Sequence, residues 1–373
     1  MNNGKINIKV IGIGGGGGNA TNHIAKLNGN LAEFVAVNTD VMALNTLDIN
    51  SKVQIGTQLT KGLGSGADPK VGEQAALEDI EKINEIVADT DVIFLAAGLG
   101  GGTGTGAIPV IAEAAKKTDA IVIAIVTLPF KFEGIKRSEI ATGGLNKLRE
   151  IVDSVICIPN ERIFQIIDEN ISIDNAFRLT DQVLNEAFSA IASLIGDVGI
   201  INIDYNDVKT VISEKGDSVV CFGEASGENS PVKAVRYAMA SPLLERSDIV
   251  GAKQVLISFV SGKSVAMKDF QEATRIISTE IKREANIVFG VILKPELVSK
   301  TEVTIIATGL PDMKESEKAP FRTNQKFVQD TIDFFQAENG LFTNMEPTMI
   351  EGVNFDTPTY IRWGRKKLMS NVA

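Results

Sequence analysis

Basic charge is in deficit: 37 Lys and Arg stand against 47 Asp and Glu, a formal net charge of −10. That argues against a broad nucleic-acid-binding surface, which needs clustered Lys and Arg. It also leaves any bound phosphates to be met by backbone N–H groups and a metal ion rather than by a basic pocket. Histidine is nearly absent. With His23 alone there is no Ser-His-Asp arrangement and no histidine-based zinc cluster, and no metal site is expected. His23 itself reads as a structural residue of the helix after the first glycine loop rather than a general base. Cysteine is scarce too. Cys157 and Cys221 lie in apolar, strand-like runs and read as buried thiols in a reducing compartment, not as a disulfide or a metal site. No apolar run is long enough to cross a bilayer, and MNNGK leads almost directly into IKVIGIG without a signal-type segment. A cytoplasmic protein with no direct membrane insertion is therefore expected. The Walker signature, GxxxxGK followed by Ser or Thr, is missing as well, which excludes a P-loop NTPase.

What is present is ordinary in bulk and specific in detail. The 373 residues are 44% apolar and 23% charged, enough for two core-bearing domains and a tail. Ile6–Ile11, Phe34–Val37, Val92–Ala97, Ala120–Val126 and Ser154–Ile158 read as strands alternating with helical stretches. Several are apolar on consecutive residues, as in a parallel sheet covered on both faces. The class is α/β, with a doubly wound parallel sheet. A long helix is expected from about Asn175 to Ile195, because Phe177, Leu184, Phe188, Ile191 and Ile195 share one face. Asp174 or Asn175 is placed to cap it, and Gly196 to end it. A second, smaller α/β unit is expected from about Ser218 to Leu310, with strands at Ser218–Phe222, Gln254–Val260, Asn286–Leu293 and Glu302–Ala307. Helices are expected there at Val232–Met239 and Met267–Lys282. From Pro311 to Val353 the composition becomes that of a linker, in which Val328, Ile332 and Phe335 share a helical face.

Two glycine loops carry the chemistry. The first strand runs into Gly12 and then Gly14 to Gly18, Asn19 and a helix. A strand, a glycine loop and a helix N-terminus together make an anion site. Alone this loop is ambiguous: Gly12, Gly14 and Gly17 satisfy GxGxxG and Asp40 ends the second strand, so a dinucleotide-dependent oxidoreductase is a competing reading. The second loop, GGGTGTG from Gly100 to Gly106, follows another strand and precedes another helix. Two such loops on one sheet edge enclose a triphosphate, where a dehydrogenase needs only one.

GGGTGTG is a signature of the tubulin family. With GGGGGNA at the first loop, the chain resembles the tubulin/FtsZ family of assembling GTPases, its FtsZ branch of bacterial cell-division proteins in particular, from about Lys5 to Leu310. The resemblance implies GTP and GDP as ligands, with Mg²⁺ and optionally K⁺ as cations. It implies phosphate contacts at Gly16, Gly17, Gly18, Asn19, Ala20, Gly102, Thr103 and Gly104. The loops Asn38 to Asp40 and GLGSGADP, Gly62 to Pro69, would line the phosphate side. Glu133 and Arg137 would meet ribose and phosphate, and Asn160, Phe177 and Asp181 the guanine base. A carboxylate suits guanine, whose N1–H and N2–H₂ are donors that adenine lacks as a pair. The implied organisation is a GTP-binding domain (1–174), a central helix with catalytic loop (175–207), a C-terminal α/β domain (208–310), a linker (311–353) and a tail peptide (354–373).

INIDYNDV contains Asn202, Asp204 and Asp207 and matches the family's N-x-D-x-x-D catalytic loop. On spacing alone these residues also fit a solvated turn. A helix of about 20 residues spans about 30 Å, so one that touches the base at its start delivers these acids to the far side of the domain. There they would serve the next subunit of a head-to-tail filament, the chain's own partner. In the tail, Asp356, Pro358, Tyr360, Ile361 and Arg362 resemble the family's docking peptide for membrane-tethering division proteins. The implied role is a polymerising GTPase at the division site. The remaining readings are the oxidoreductase and a GTP-bound scaffold that does not hydrolyse. Three departures bear on turnover: Asp68 stands where the family commonly has Asn, Lys70 where it has Glu, and Leu128 where it has Lys.

Overall fold

Consecutive apolar residues on one strand must find cover on both sides, and that requirement organises the molecule. The computed structural model describes residues 6–165, 172–196, 200–201, 204–214, 217–240, 249, 251–263, 265–281, 285–310, 349–350 and 353–354. In β1 (Ile8–Ile13), Ile8 and Val10 point into one hydrophobic cluster, and Ile11 and Ile13 into another. The alternation recurs in β4 (Val92–Gly98), where Phe94 faces the first cluster and Ile93 and Leu95 the second. The period of two is that of any strand; here both phases are apolar.

Six strands form the N-terminal half: β1, β2 (Glu33–Asn38), β3 (Ser51–Gln54), β4, β5 (Ile121–Leu128) and β6 (Ser154–Pro159). All pair in parallel. The C-terminal half comprises β7 (Asp217–Ser226), β8 (Gln254–Ser261), β9 (Asn286–Leu293) and β10 (Lys300–Leu310), with β10 antiparallel to β7 and β8, and β8 parallel to β9. The strand order is β3-β2-β1-β4-β5-β6-β7-β10-β8-β9. Among the described residues a single pair, Ile156 with Ser218, joins the halves into one ten-stranded sheet. This is the α/β, mainly parallel architecture expected.

The helices are α1 (Gly14–Asn28), α2 (Val41–Asn45), α3 (Thr57–Thr60), α4 (Pro69–Glu78), α5 (Ile80–Val87), α6 (Thr103–Ala115), α7 (Ile135–Ile151), α8 (Ile173–Gly196), α9 (Tyr205–Ile212), α10 (Ser230–Met239) and α11 (Met267–Glu280). Helices α4 to α7 cover one face of the N-terminal sheet, and α1, α8 and α9 the other. Phe188 of α8 is fully buried and packs edge-on against Phe94, with ring centroids 5.1 Å apart. Burying such a ring stabilises the fold by about 1.5–3 kcal/mol.

Three local expectations are corrected. The α8 helix begins two residues earlier than expected, and Ser172 caps it: its hydroxyl accepts the Asn175 N–H at 3.3 Å. Asn175 therefore lies inside the first turn. INIDYNDV is not wholly a loop, because Val208, Val211 and Ile212 bury one face of α9. Strand β3 and helices α2 to α5 went unread, their apolar patterns being too short. Both cysteines are buried, and burial pushes the Cys221 thiol up to about 12. No helix among the described residues is long and apolar enough to cross a membrane.

The chain divides into two units, residues 1–317 and 318–373. In the latter, β11 (Met349–Ile350) and β12 (Val353–Asn354) pair antiparallel, β12 lying across the boundary between the segments read as linker and tail. The helical face of Val328, Ile332 and Phe335 lies outside the described residues.

Candidate nucleotide-binding site

Strands β1 and β4 are neighbours, pairing Ile13 with Ala97, and each ends where a helix begins. The starts of α1 and α6 therefore lie side by side at the carboxyl edge of the sheet. Gly14 holds them together: its φ is +74°, and a Cβ there would stand 2.8 Å from the Gly104 amide nitrogen. Neither helix has a side-chain cap. By contrast, Asp40 caps α2 through the Met42 and Ala43 N–H groups, and Asp68 caps α4 through the Lys70 N–H. The two uncapped N-termini leave their first backbone donors for an anion, with the helix dipole favouring negative charge. Gly16, Gly17, Gly18, Asn19 and Ala20 occupy the first turns of α1, while Gly102, Thr103 and Gly104 open α6.

The flanking loops close on α6 from its other side. Asp40 bridges Leu63, and the Val41 N–H donates to the Gly62 carbonyl at 3.1 Å. Ala67 sits at φ +61°, a conformation rare outside glycine. Thr103 is buried between two hydroxyls, Thr39 Oγ1 at 2.7 Å and Ser65 Oγ at 3.0 Å. The sequence reading named the two loops but not these hydroxyls; nothing in the residue pattern marks them. Asp68 is engaged by the backbone of Lys70, so what offsets its charge is an amide N–H rather than the lysine ammonium.

A second cluster forms at the ends of β5 and β6. Arg137 donates to Glu133, whose other oxygen accepts the Phe130 N–H at 2.9 Å. Phe130 stacks on Phe132 and meets Phe177 edge-on with centroids 5.4 Å apart, which brings the start of α8 to this loop. Asn160 is buried, and its amide oxygen has no hydrogen-bond partner among the described residues. Asp181 lies one turn beyond Phe177; burial pushes its carboxyl up to about 6. An unpaired acceptor and a desolvated carboxylate together suit a ligand with adjacent N–H donors.

Asp204 and Asp207 are elsewhere. Asp204 caps α9, its Oδ1 accepting the Asp207 N–H at 2.8 Å, and both acids are exposed. The Tyr205 hydroxyl donates to the Asp91 carbonyl at 3.0 Å, just before β4 begins. The glycine loop follows the other end of β4, seven residues on, about 20 Å along a strand. The preceding segment is held by the C-terminal half, where Ile201 bridges Val291 of β9. Asn202 and the tail residues Asp356, Pro358, Tyr360, Ile361 and Arg362 lie outside the described residues. Among the described residues no group of three or more His, Cys, Asp or Glu is placed to hold a metal ion.

Comparison with known proteins agrees with this fold. A family model for the tubulin/FtsZ GTPase domain matches residues 7–168, and one for the FtsZ C-terminal domain matches residues 216–311. An empty FtsZ dimer from M. jannaschii is similar at 37% identity and TM-score 0.76, over 83% of this chain and 89% of that one. In fold alone, GDP-bound monomeric CetZ1 from Haloferax volcanii is similar at 22% identity and TM-score 0.72, over 88% and 100% of the two chains. A GTPγS-bound CetZ2 protofilament from the same organism is similar at 21% identity and TM-score 0.70, over 89% and 99%.

Proposed function

The chain belongs to the tubulin/FtsZ family and is a GTPase, and we propose that it polymerises head to tail and hydrolyses GTP where one subunit's acids meet the next subunit's nucleotide. The observation that carries this is the placement of Asp204 and Asp207 at the opposite end of β4 from the glycine loops. Acids that cannot reach their own pocket reach a neighbour's in a heterologous stack, and such a stack does not close. In the pocket, the starts of α1 and α6 hold the phosphates, Glu133 and Arg137 the ribose side, and Asn160, Phe177 and Asp181 the base. Asp204 and Asp207, with Asn202, order and polarise the attacking water. When bound, Mg²⁺, with K⁺ as a further option, would accompany the triphosphate held at the starts of α1 and α6 and would supply charge neutralisation there. An FtsZ dimer and a CetZ protofilament among similar structures support self-association.

The family match disfavours the oxidoreductase reading, since a dehydrogenase has no use for the second loop or the distant acids. The cellular role proposed is cytoplasmic, in the division ring, with the tail peptide docking a membrane-tethering protein. Light scattering of the pure protein with Mg²⁺ and GTP, GDP or ATP tests assembly, and GTP alone is expected to drive it. Deleting residues 355–373 is expected to leave GTPase activity and polymer intact while abolishing recruitment to a tether. Loss of GTPase activity on that deletion would refute a separate adaptor role.

A further inference from the structure

Thr39, Ser65 and Thr103 each bring one hydroxyl proton to a buried cluster, with relative exposures of 0%, 9% and 8%. Only two oxygen–oxygen contacts join them, and both involve Thr103. Neither Thr39 Oγ1 nor Ser65 Oγ has another hydrogen-bond partner among the described residues. Three donors and two contacts leave one proton over. A buried donor without an acceptor is costly, so the cluster calls for an acceptor from outside it. Packing keeps the hydroxyls together: a Cβ on Gly102 would stand 2.2 Å from Ser65 Oγ.

The sheet order says which part of a ligand arrives there. The base pocket lies at the ends of β5 and β6. The hydroxyls lie on the β2 side of β4, since Thr39 follows β2 and Thr103 opens α6. A nucleotide laid across the carboxyl edge from β6 toward β2 reaches this cluster with its last phosphate. Phosphate oxygens only accept. If Thr39 and Ser65 both donate to Thr103, the Thr103 proton is the one left over, aimed at that phosphate and strengthened by the two bonds behind it.

We propose that Ser65 and Thr39 are positioning residues that fix the Thr103 hydroxyl as a donor to the terminal phosphate, so that the cluster distinguishes GTP from GDP. This rests on the nucleotide reading above and assigns it a triphosphate sensor. The test is competition titration of GTP and GDP on the full chain carrying Ser65→Ala, with the isosteric Thr39→Val as a second variant on a different loop. Each is expected to weaken GTP about five- to tenfold, the loss of one or two directed hydrogen bonds, and GDP by less than about twofold. Because both act through Thr103, Ser65→Ala should change nothing further in a Thr103→Val background. Equal weakening of both nucleotides, weakening of neither, or a full Ser65→Ala effect in that background would overturn the proposal. A wild-type chain binding neither nucleotide would overturn the nucleotide reading and this proposal with it.

Discussion

A mixture of Asp207→Ala and Thr103→Arg chains is expected to hydrolyse GTP faster than the sum of the two measured alone. The Asp207→Ala chain keeps its pocket and lacks an acid; Thr103→Arg fills its pocket at the buried start of α6 and keeps both acids. The Asp207→Ala chain alone should lose about 10²- to 10⁴-fold in rate, the usual worth of a positioned acid or base, and the Thr103→Arg chain should be nearly inactive because its pocket is filled. In a random co-polymer about a quarter of contacts pair a working pocket with working acids, so activity should recover toward that fraction of wild type. The gain should rise steeply with total concentration, because such a site exists only at a contact. Asp207 is the cleaner probe of the two acids. Its backbone N–H, not its carboxylate, completes the Asp204 cap, whereas Asp204→Ala would also remove about 1 kcal/mol of capping. Co-sedimentation establishes that the two chains assemble together. Mixtures that co-sediment but stay additive, with a wild type equally active when dilute, would refute catalysis across the contact.

Asp181→Ala is expected to reduce the preference for GTP over ATP by about a hundredfold or more, since a buried acceptor built for two donors rejects a base that lacks them. The pH dependence follows from the same desolvation. The carboxyl, raised to about 6 in the free protein, must be ionised to accept guanine N–H groups. Guanine affinity should therefore be full above about pH 7, fall as pH drops through 6, and be accompanied by proton release when nucleotide binds near pH 6. The free fold shows the opposite sign. A raised acid pKa means that stability from this group is present below its unfolded value, near 4, and lost as pH rises through 6. Asp181→Asn should thus raise the melting temperature of the nucleotide-free protein at neutral pH while impairing guanine binding. A pH-independent GTP/ATP ratio, unchanged by Asp181→Ala, would remove Asp181 from the base pocket.

The strands of the parallel sheet were legible because their apolar runs admit only a two-sided core, and α8 because Phe188, Ile191 and Ile195 repeat on one face. The glycine loops were legible from their places between strand and helix. The shorter elements were not. Strand β3 exposes part of every residue, so no burial pattern marks it, and α9 begins inside a run whose Asp and Asn suit a turn equally well. Ser172 was missed as a cap because Asp174 and Asn175 are equally good capping types two and three residues later. The hydroxyl cluster on Thr103 was invisible for a different reason: it joins three segments far apart in sequence, and Thr and Ser carry no periodic signal.

The junction between the sheet halves sets the mechanical freedom of the acids. Within the C-terminal half, β10 is bonded along most of its length to both neighbours, yet among the described residues only Ile156 and Ser218 pair that half with β6. The side chains shared beneath α8 are apolar and tolerate sliding, whereas directed hydrogen bonds do not. Among the described residues, turning one half against the other, with α9 following the C-terminal half, therefore disrupts one sheet rung and the Tyr205 hydroxyl's bond to the Asp91 carbonyl, a net cost of about 1 kcal/mol each, rather than a ladder. Because Val291 grips Ile201 just ahead of Asp204, the C-terminal half acts as a lever on the acids, with α8 as its axle and, among the described residues, the rung at Ser218 and the Tyr205 hydroxyl as its latches.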